Sequence, residues 1–419
     1  MEKYDKYKNS GVEWLGEIPE HWEVLRIKHL FKEINERSFD GSEDLLSVSQ
    51  YTGVTNKSER LEEGGMLTNA STLEGYKKVS KDDLVSNIML AWNGSLGFSS
   101  FNGITSPAYS IYRIKTKDIN RYFHYLLRTE LYKSEYKRNS SGVIESRLRL
   151  YTDDFFRIES ILPPIEEQTA IAHFLDDKTA KIDQAIAIKQ KQIELLKERR
   201  QILIHKAVTR GLNPNVKLKD SGVEWIGEIP EHWEVKRLKY VANLVSDKML
   251  SKGNALSYIG MENIESWTGN YISTDTETEG LANYFKQGDI LFGKLRPYLA
   301  KVFLAKEEGI CTTEFLVYRN NNEVFNWYLH LLMLSFEFIK LIDSSTYGSK
   351  MPRANSDFIG NQLIPIPPKN EQTEIAEFIE TATTKIATTI SLKEQEIEKL
   401  KEYKMSLIDG VVTGKVRVC

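Results

Sequence analysis

Two polar loops in this 419-residue chain carry the side chains best suited to chemistry on a nucleic acid. The first, NSSGVIESRLRL (139–150), offers Ser140, Ser141, Arg147 and Arg149. The second, SSTYGSKMPRAN (344–355), offers Tyr347, Ser349, Lys350 and Arg353. Arginine donates two bonds to the major-groove edge of guanine, and asparagine pairs similarly with adenine. Glycine in such turns lets backbone come close to phosphate. GKLRP (293–297) adds Lys294 and Arg296 as phosphate contacts, and Lys133, Lys137 and Arg138 lead into the first loop. Ten basic and four acidic residues lie from Tyr112 to Arg149, interleaved with tyrosines. A solvated helix face and a phosphate-binding surface both account for that excess. Any one of these residues alone also fits an ordinary surface loop. The recurrence of a similar loop in both halves argues for recognition.

Motifs for catalysis are missing from the same reading. An adenine methyltransferase needs an Asn/Asp-Pro-Pro-aromatic box to cradle a flipped base. This chain has only LPPI and IPPK. It contains no phosphate-loop signature, no HExxH, no CxxC pair and no GxSxG elbow. Asp82-Asp83 and Asp153-Asp154 suit turns or helix starts better than a nuclease centre, because no lysine partner sits at a useful spacing. His21 and His232 recur half a chain apart, which suits surface or capping roles better than a metal. Cys311 and Cys419 are too few for a disulfide framework. The expectation is a non-catalytic protein with no cofactor and no metal. No apolar run is long enough for a membrane span, and the start does not read as a signal peptide, so a cytoplasmic protein is expected. The net charge of −3 does not by itself announce a nucleic-acid partner.

The elements that must hold these loops come in two copies. SGVEWLGEIPEHWEV (10–24) returns as SGVEWIGEIPEHWEV (221–235), matching at fourteen of fifteen positions. LPPIEEQTAIAHFL (162–175) echoes IPPKNEQTEIAEFI (366–379) at an offset of 204, which also aligns Arg149 with Arg353. Each half therefore reads as a Trp box, a variable block with β-rich start, a helix near 119–136 or 324–342, and a long helix. Paired prolines open the long helices. Ile182, Ile186, Lys189, Ile193, Leu196, Arg200 and Leu203 keep an unbroken 4-3 spacing. Ile386, Ile390, Lys393, Ile397, Leu400, Lys404 and Leu407 repeat it. This is a coiled-coil seam with cations at the same two positions in each helix. At about 40 residues, each helix spans roughly 60 Å. Register alone fits parallel or antiparallel pairing. A pseudo-two-fold relation between the halves makes the pairing antiparallel. The expected fold is α+β, with two globular domains (1–161 and 212–365) separated by two long antiparallel coiled-coil helices (162–211 and 366–419). Trp14, Pro19, Trp22, Trp225, Pro230 and Trp233 are read as a structural box where each block meets the helix ends.

The doubled GEIPEHWEV box, DLVSNIMLAWNG, GDILFGKLRPYL, the PPIEEQTAIAHFL and PPKNEQTEIAEFI helix starts, and the endings KAVTRG and VVTGKV together resemble the specificity subunits of type I restriction–modification systems over essentially the whole chain. The resemblance implies two target recognition domains, each binding one half of an asymmetric, bipartite sequence in double-stranded DNA. It implies that the helices set the spacer and dock two methyltransferase subunits that modify adenine at N6. It further implies motor-nuclease subunits that complete a restriction complex. The competing reading is a coiled-coil interaction scaffold whose variable blocks do not touch DNA.

Overall fold

The computed structural model describes residues 2–57, 72–144, 147–252, 255–274, 280–346, 348 and 350–418. The chain divides into two compact units. The first contains Met1–Ile188 with Gln395–Cys419, and the second contains Lys189–Glu394. Each unit therefore takes one stretch from both long helices, Ile165–Arg210 (46 residues) and Lys369–Val412 (44 residues).

In the first unit a four-stranded antiparallel sheet runs in the order Phe31–Ile34, Tyr109–Ile114, Leu84–Asn87, Leu96–Phe98. The second unit repeats it as Ala242–Val245, Phe315–Asn320, Ile290–Gly293, Val302–Leu304. The second unit also holds a sheet of Lys248–Leu250, Leu281–Phe285, Gly309–Thr312 and Tyr258–Ile259. Outside the sheets, the single helix expected near 119–136 is two, Asn120–Leu126 and Glu130–Asn139. Its counterpart near 324–342 is likewise Asn326–Met333 and Phe336–Ser344. Thr129 breaks the first run because its hydroxyl accepts from the Tyr132 amide as an N-cap, which favours starting a new helix over continuing the old one.

Within the blocks the two units align at an offset of 206 that spacing between the more obvious motifs hides. Arg113 pairs with Asp83 at 2.7 Å, and Arg319 pairs with Asp289 at 2.6 Å. Tyr122 donates its hydroxyl to the carbonyls of Val412 and Ile161, and Tyr328 donates to those of Val208 and Pro365. In each unit one tyrosine thus ties the block to the end of one long helix and to the strand leading into the other.

The Trp boxes sit at the same junctions. Trp22 and Trp233 are fully buried. Trp22 Nε1 donates to Glu167 at 3.0 Å, and Trp233 Nε1 donates to Glu371 at 2.9 Å. His21 and His232 reach the other carboxylate oxygen at 2.5 and 2.6 Å. The adjacent Gln168 accepts from the Ile119 amide and donates to the Pro163 carbonyl. Gln372 does the same with Phe325 and Pro367. The shared EQ pair is therefore a fastener, with the Glu holding the Trp box and the Gln holding the following block. Trp14 packs edge-on against Tyr132, and Trp225 against Phe338. Pro19 and Pro230 end the short strands Glu17–Pro19 and Glu228–Pro230.

Each unit also fixes the direction of its helix pair. In the first, Trp22 lies beside both Glu167 and the left-handed Gly414, while Lys404 reaches Asp183 at 2.7 Å. In the second, Trp233 lies beside Glu371 and the left-handed Gly211, while Lys393 reaches Gln192 at 2.6 Å. The start of one helix meets the end of the other in both cases, so the segments run antiparallel. A side chain at Gly414 would come within 2.5 Å of Pro19, so this helix end needs glycine for space as well as for its backbone angle.

Candidate nucleic-acid interface

The two arginine-bearing loops are each one arm of a two-arm element. The other arm is the turn that follows the third strand of the antiparallel sheet. In the first unit the Leu150 amide donates to the Ile88 carbonyl at 2.9 Å. In the second the Ala354 amide donates to the Lys294 carbonyl, also at 2.9 Å. Arg149 and Arg353 precede these amides and occupy the same place in the two units.

Their surroundings differ. Ser141 and Arg149 exchange two backbone hydrogen bonds at 2.9 Å, which close the intervening loop. The side chains of Arg147 and Arg149 are exposed and make no hydrogen bond or ion pair among the described residues. Arg353 instead grips Glu314 through Nε at 3.2 Å and Nη2 at 3.1 Å. At the offset of 206 the position matching Glu314 is Ala108, which carries no charge. The opposing turn differs as well. Ile88, Met89 and Leu90 stand where the second unit has Lys294, Leu295 and Arg296. Arg296 is exposed, holds a left-handed backbone with φ of 50°, and donates its amide to Pro352 at 2.8 Å. A positive φ at a residue other than glycine is costly and persists only where the surroundings enforce it. Here the amide hydrogen bond to Pro352 holds it, against the extended backbone that the following Pro297 favours.

The remaining sequence-derived positions each have their own surroundings. Lys137 lies over the Trp92 ring at 5.9 Å, and Arg138 is exposed beside Glu135 at 3.7 Å. Lys133 pairs with Glu130 at 2.8 Å and packs its stem over Gly94. The Ser140 hydroxyl donates to the Tyr136 carbonyl and closes the helix end. Lys350 is exposed, whereas Tyr347 and Ser349 lie outside the described residues. The basic run from 112 to 149 is not one surface. Arg113 and Arg121 hold Asp83 and Asp176, and Arg128 donates to the carbonyls of Gln50 and Tyr51. Asp153 and Asp154 sit in the first turn of the short helix Thr152–Arg157. Asp83 is consumed by Arg113. Glu314, Glu167 and Glu371 escape a reading that looks for positive charge. The 206 offset is the signal that would have exposed Glu314 as a difference between otherwise matching blocks.

The seam cations are also individual. Lys404 and Lys393 have partners across the helix pair, whereas Arg200 keeps a buried Nε with no hydrogen-bond partner. Ile182, Ile193, Ile386, Ile397 and Leu407 are buried along the seam, with Ile186, Leu196, Leu203, Ile390 and Leu400 half-buried. Among the described residues no group of His, Cys, Asp and Glu is placed to hold a metal, and no helix is long and apolar enough to cross a membrane.

Comparison with known proteins follows from this doubled architecture. The model of the type I restriction modification DNA specificity domain matches twice, over residues 19–198 and 230–402. The chain belongs to that family. It is similar to the type I restriction enzyme MjaVIII specificity subunit of Methanocaldococcus jannaschii, at 26% identity covering 96% of this chain and 94% of that protein. It is similar to the EcoDI specificity subunit of Escherichia coli at 28% identity, covering 70% of each. Among solved structures, the HsdS subunit from Thermoanaerobacter tengcongensis shares the fold with a TM-score of 0.53 at 14% identity, covering 95% of this chain and 98% of that one. A chain solved for the complex assembly and conformational transition of the type I R-M system shares it with a TM-score of 0.69 at 13% identity, covering 95% and 99%.

Proposed function

We propose that this chain is the sequence reader of a type I restriction–modification complex. Residues 1–161 and 212–365 act as target recognition domains, each taking one half of a bipartite, asymmetric site in double-stranded DNA. Residues 162–211 and 366–419 act as the spacer that sets the distance between half-sites and docks two methyltransferase subunits. Adenine-N6 methylation and ATP-driven cleavage belong to those methyltransferase and motor-nuclease partners, and the chain works in the cytoplasm. The observation that carries this reading is the doubled family domain with a separate two-arm element in each copy. Arg138, Arg147 and Arg149 line one element, and Lys294, Arg296 and Lys350 line the other. The difference in residues between matched arms supports two different half-sites.

Duplex binding tests the reading. With the methyltransferase partner present, the logarithm of the binding constant should fall linearly with that of salt concentration, by about 0.9 per phosphate neutralised. Mapping methylated adenines in cells carrying both proteins should return one bipartite, non-palindromic motif. Binding that is absent or indifferent to salt would leave the scaffold reading standing instead.

A further inference from the structure

The geometry points to a switch of arms between the two units: Arg149 reads bases in the first, Arg296 reads them in the second, and Arg353 is the strut that positions Arg296. This rests on the DNA-reading function proposed above and assigns it to particular side chains.

The argument is one of matched positions. A guanidinium that recognises guanine needs its paired donors free and its approach open. Arg149 satisfies both conditions, being exposed and without a hydrogen bond or ion pair among the described residues. The facing turn Ile88-Met89-Leu90 offers no cation, so the loop arm must supply it. In the second unit the same place in the loop arm holds Arg353, whose Nε and Nη2 already grip both oxygens of Glu314. Reading a base through that edge would strand a partly buried carboxylate without its partner, which is costly. The cation at the tip has moved to the turn arm instead. Arg296 is exposed, stands two residues from Lys294, and is held in a left-handed conformation by the hydrogen bond its amide donates to the carbonyl of Pro352, the neighbour of Arg353. The Lys294 amide donates to the carbonyl of Glu314 at 2.9 Å, so the residue that holds Arg353 also holds the base of the Arg296 turn. Glu314, Arg353, Pro352 and Arg296 thus form one mechanical unit. The first unit lacks it because Ala108 replaces the carboxylate.

The test uses the full chain with its methyltransferase partner and selection from duplexes randomised within the mapped target. Arg149→Ala should abolish preference at one base position of one half-site, a loss of about ten- to a hundredfold for a bidentate contact. Arg296→Ala should do the same in the other half-site. Arg353→Ala should blur several adjacent positions of that second half-site. The charge-swapped pair Arg353→Glu with Glu314→Arg should sharpen them again, and Arg296→Ala in the swapped background should not be rescued. In each variant the untouched half-site reports an intact fold. Loss of a single base preference in Arg353→Ala, unrecovered by the swap, would make Arg353 a reader and overturn the inference. So would an Arg149→Ala protein that keeps every preference. A wild-type complex without salt-dependent duplex binding would instead refute the underlying function.

Discussion

Two histidines show how a single residue type is specialised by its surroundings. His124 and His330 occupy the same place in the two units at the offset of 206; His330 is buried, and His124 is half-buried with its Nδ1 enclosed. Burial, helped by the nearby Arg128 and Arg121, pushes His124 down to about 3. Burial pushes His330 down to about 4, against the opposing pull of the Val302 carbonyl. His330 donates from Nε2 to that carbonyl at 3.1 Å, which makes the buried Nδ1 a bare acceptor and fixes the neutral ring. Both imidazoles are neutral in the fold, but in the unfolded chain they protonate near 6.5. Below that pH the unfolded state binds more protons, so stability is full above 6.5 and is lost as pH falls toward 4 and 3. The slope approaches about 1.4 kcal/mol per pH unit for each histidine. Between pH 6.5 and 5.0 exposed carboxylates are still ionised, so the imidazoles dominate the window. The thermal midpoint should fall across it, and His330→Gln, which keeps a donor for Val302, should flatten the fall. Parallel curves for the variant and the parent would show that acid lability arises elsewhere.

At the scale of elements, the long helices were the most legible part of the chain. Paired prolines, the 4-3 apolar spacing and the absence of Gly or Pro in 165–210 place the first helix over 162–211, within three residues of its observed ends at Ile165 and Arg210. The Trp boxes were legible as packing because their residues repeat while the blocks between them vary. What could not be read was who holds whom. Arg353 and Arg149 look alike in sequence, and what separates them is the side-chain partner Glu314, in the turn before the strand Phe315–Asn320, together with the different turn opposite. The break at Thr129 was hidden because threonine serves helix interiors and N-caps alike, and tertiary packing decides between the two. The helices themselves support a length test. Adding seven residues after Ile188 and seven after Glu394 preserves the seam register in both helices. It adds about 10 Å of rise, close to three base pairs at the 3.4 Å repeat of duplex DNA. Methylation mapping should return the same two half-sites with a spacer about three base pairs longer. An unchanged spacer would remove the helices from the measurement of distance.

At the scale of the whole chain, the two ends are arranged like its middle. In the second unit the first long helix ends at Gly211, and an exposed stretch leads to the strand Leu218–Asp220, which pairs with Glu228–Pro230. In the first unit the second long helix ends near Gly414, and the strand Tyr7–Asn9 pairs with Glu17–Pro19 in the same way. The gap between those two elements is bridged without a covalent bond. The Arg417 amide donates to the Glu2 carbonyl at 2.8 Å, the Tyr7 hydroxyl donates to the Gly414 carbonyl at 3.0 Å, and the Arg417 guanidinium lies 5.9 Å from the centre of the Tyr4 ring. These contacts between the segments around Glu2 and Arg417 therefore stand where the second unit has a covalent linker, and the same fold can be threaded from a different starting point. Joining the present termini with a short Gly/Ser segment and opening the chain between Asn213 and Pro214 cuts only surface loop and preserves every strand pair and helix contact described above. The permuted chain should fold with a thermal midpoint within a few degrees of the parent. With the methyltransferase partner it should direct methylation to the same bipartite motif with the same spacer. An insoluble product would show that the non-covalent closure at Glu2 and Arg417 is not equivalent to the central linker. A folded product with a changed motif would show that chain order, rather than the matched pair of arms, determines which bases are read.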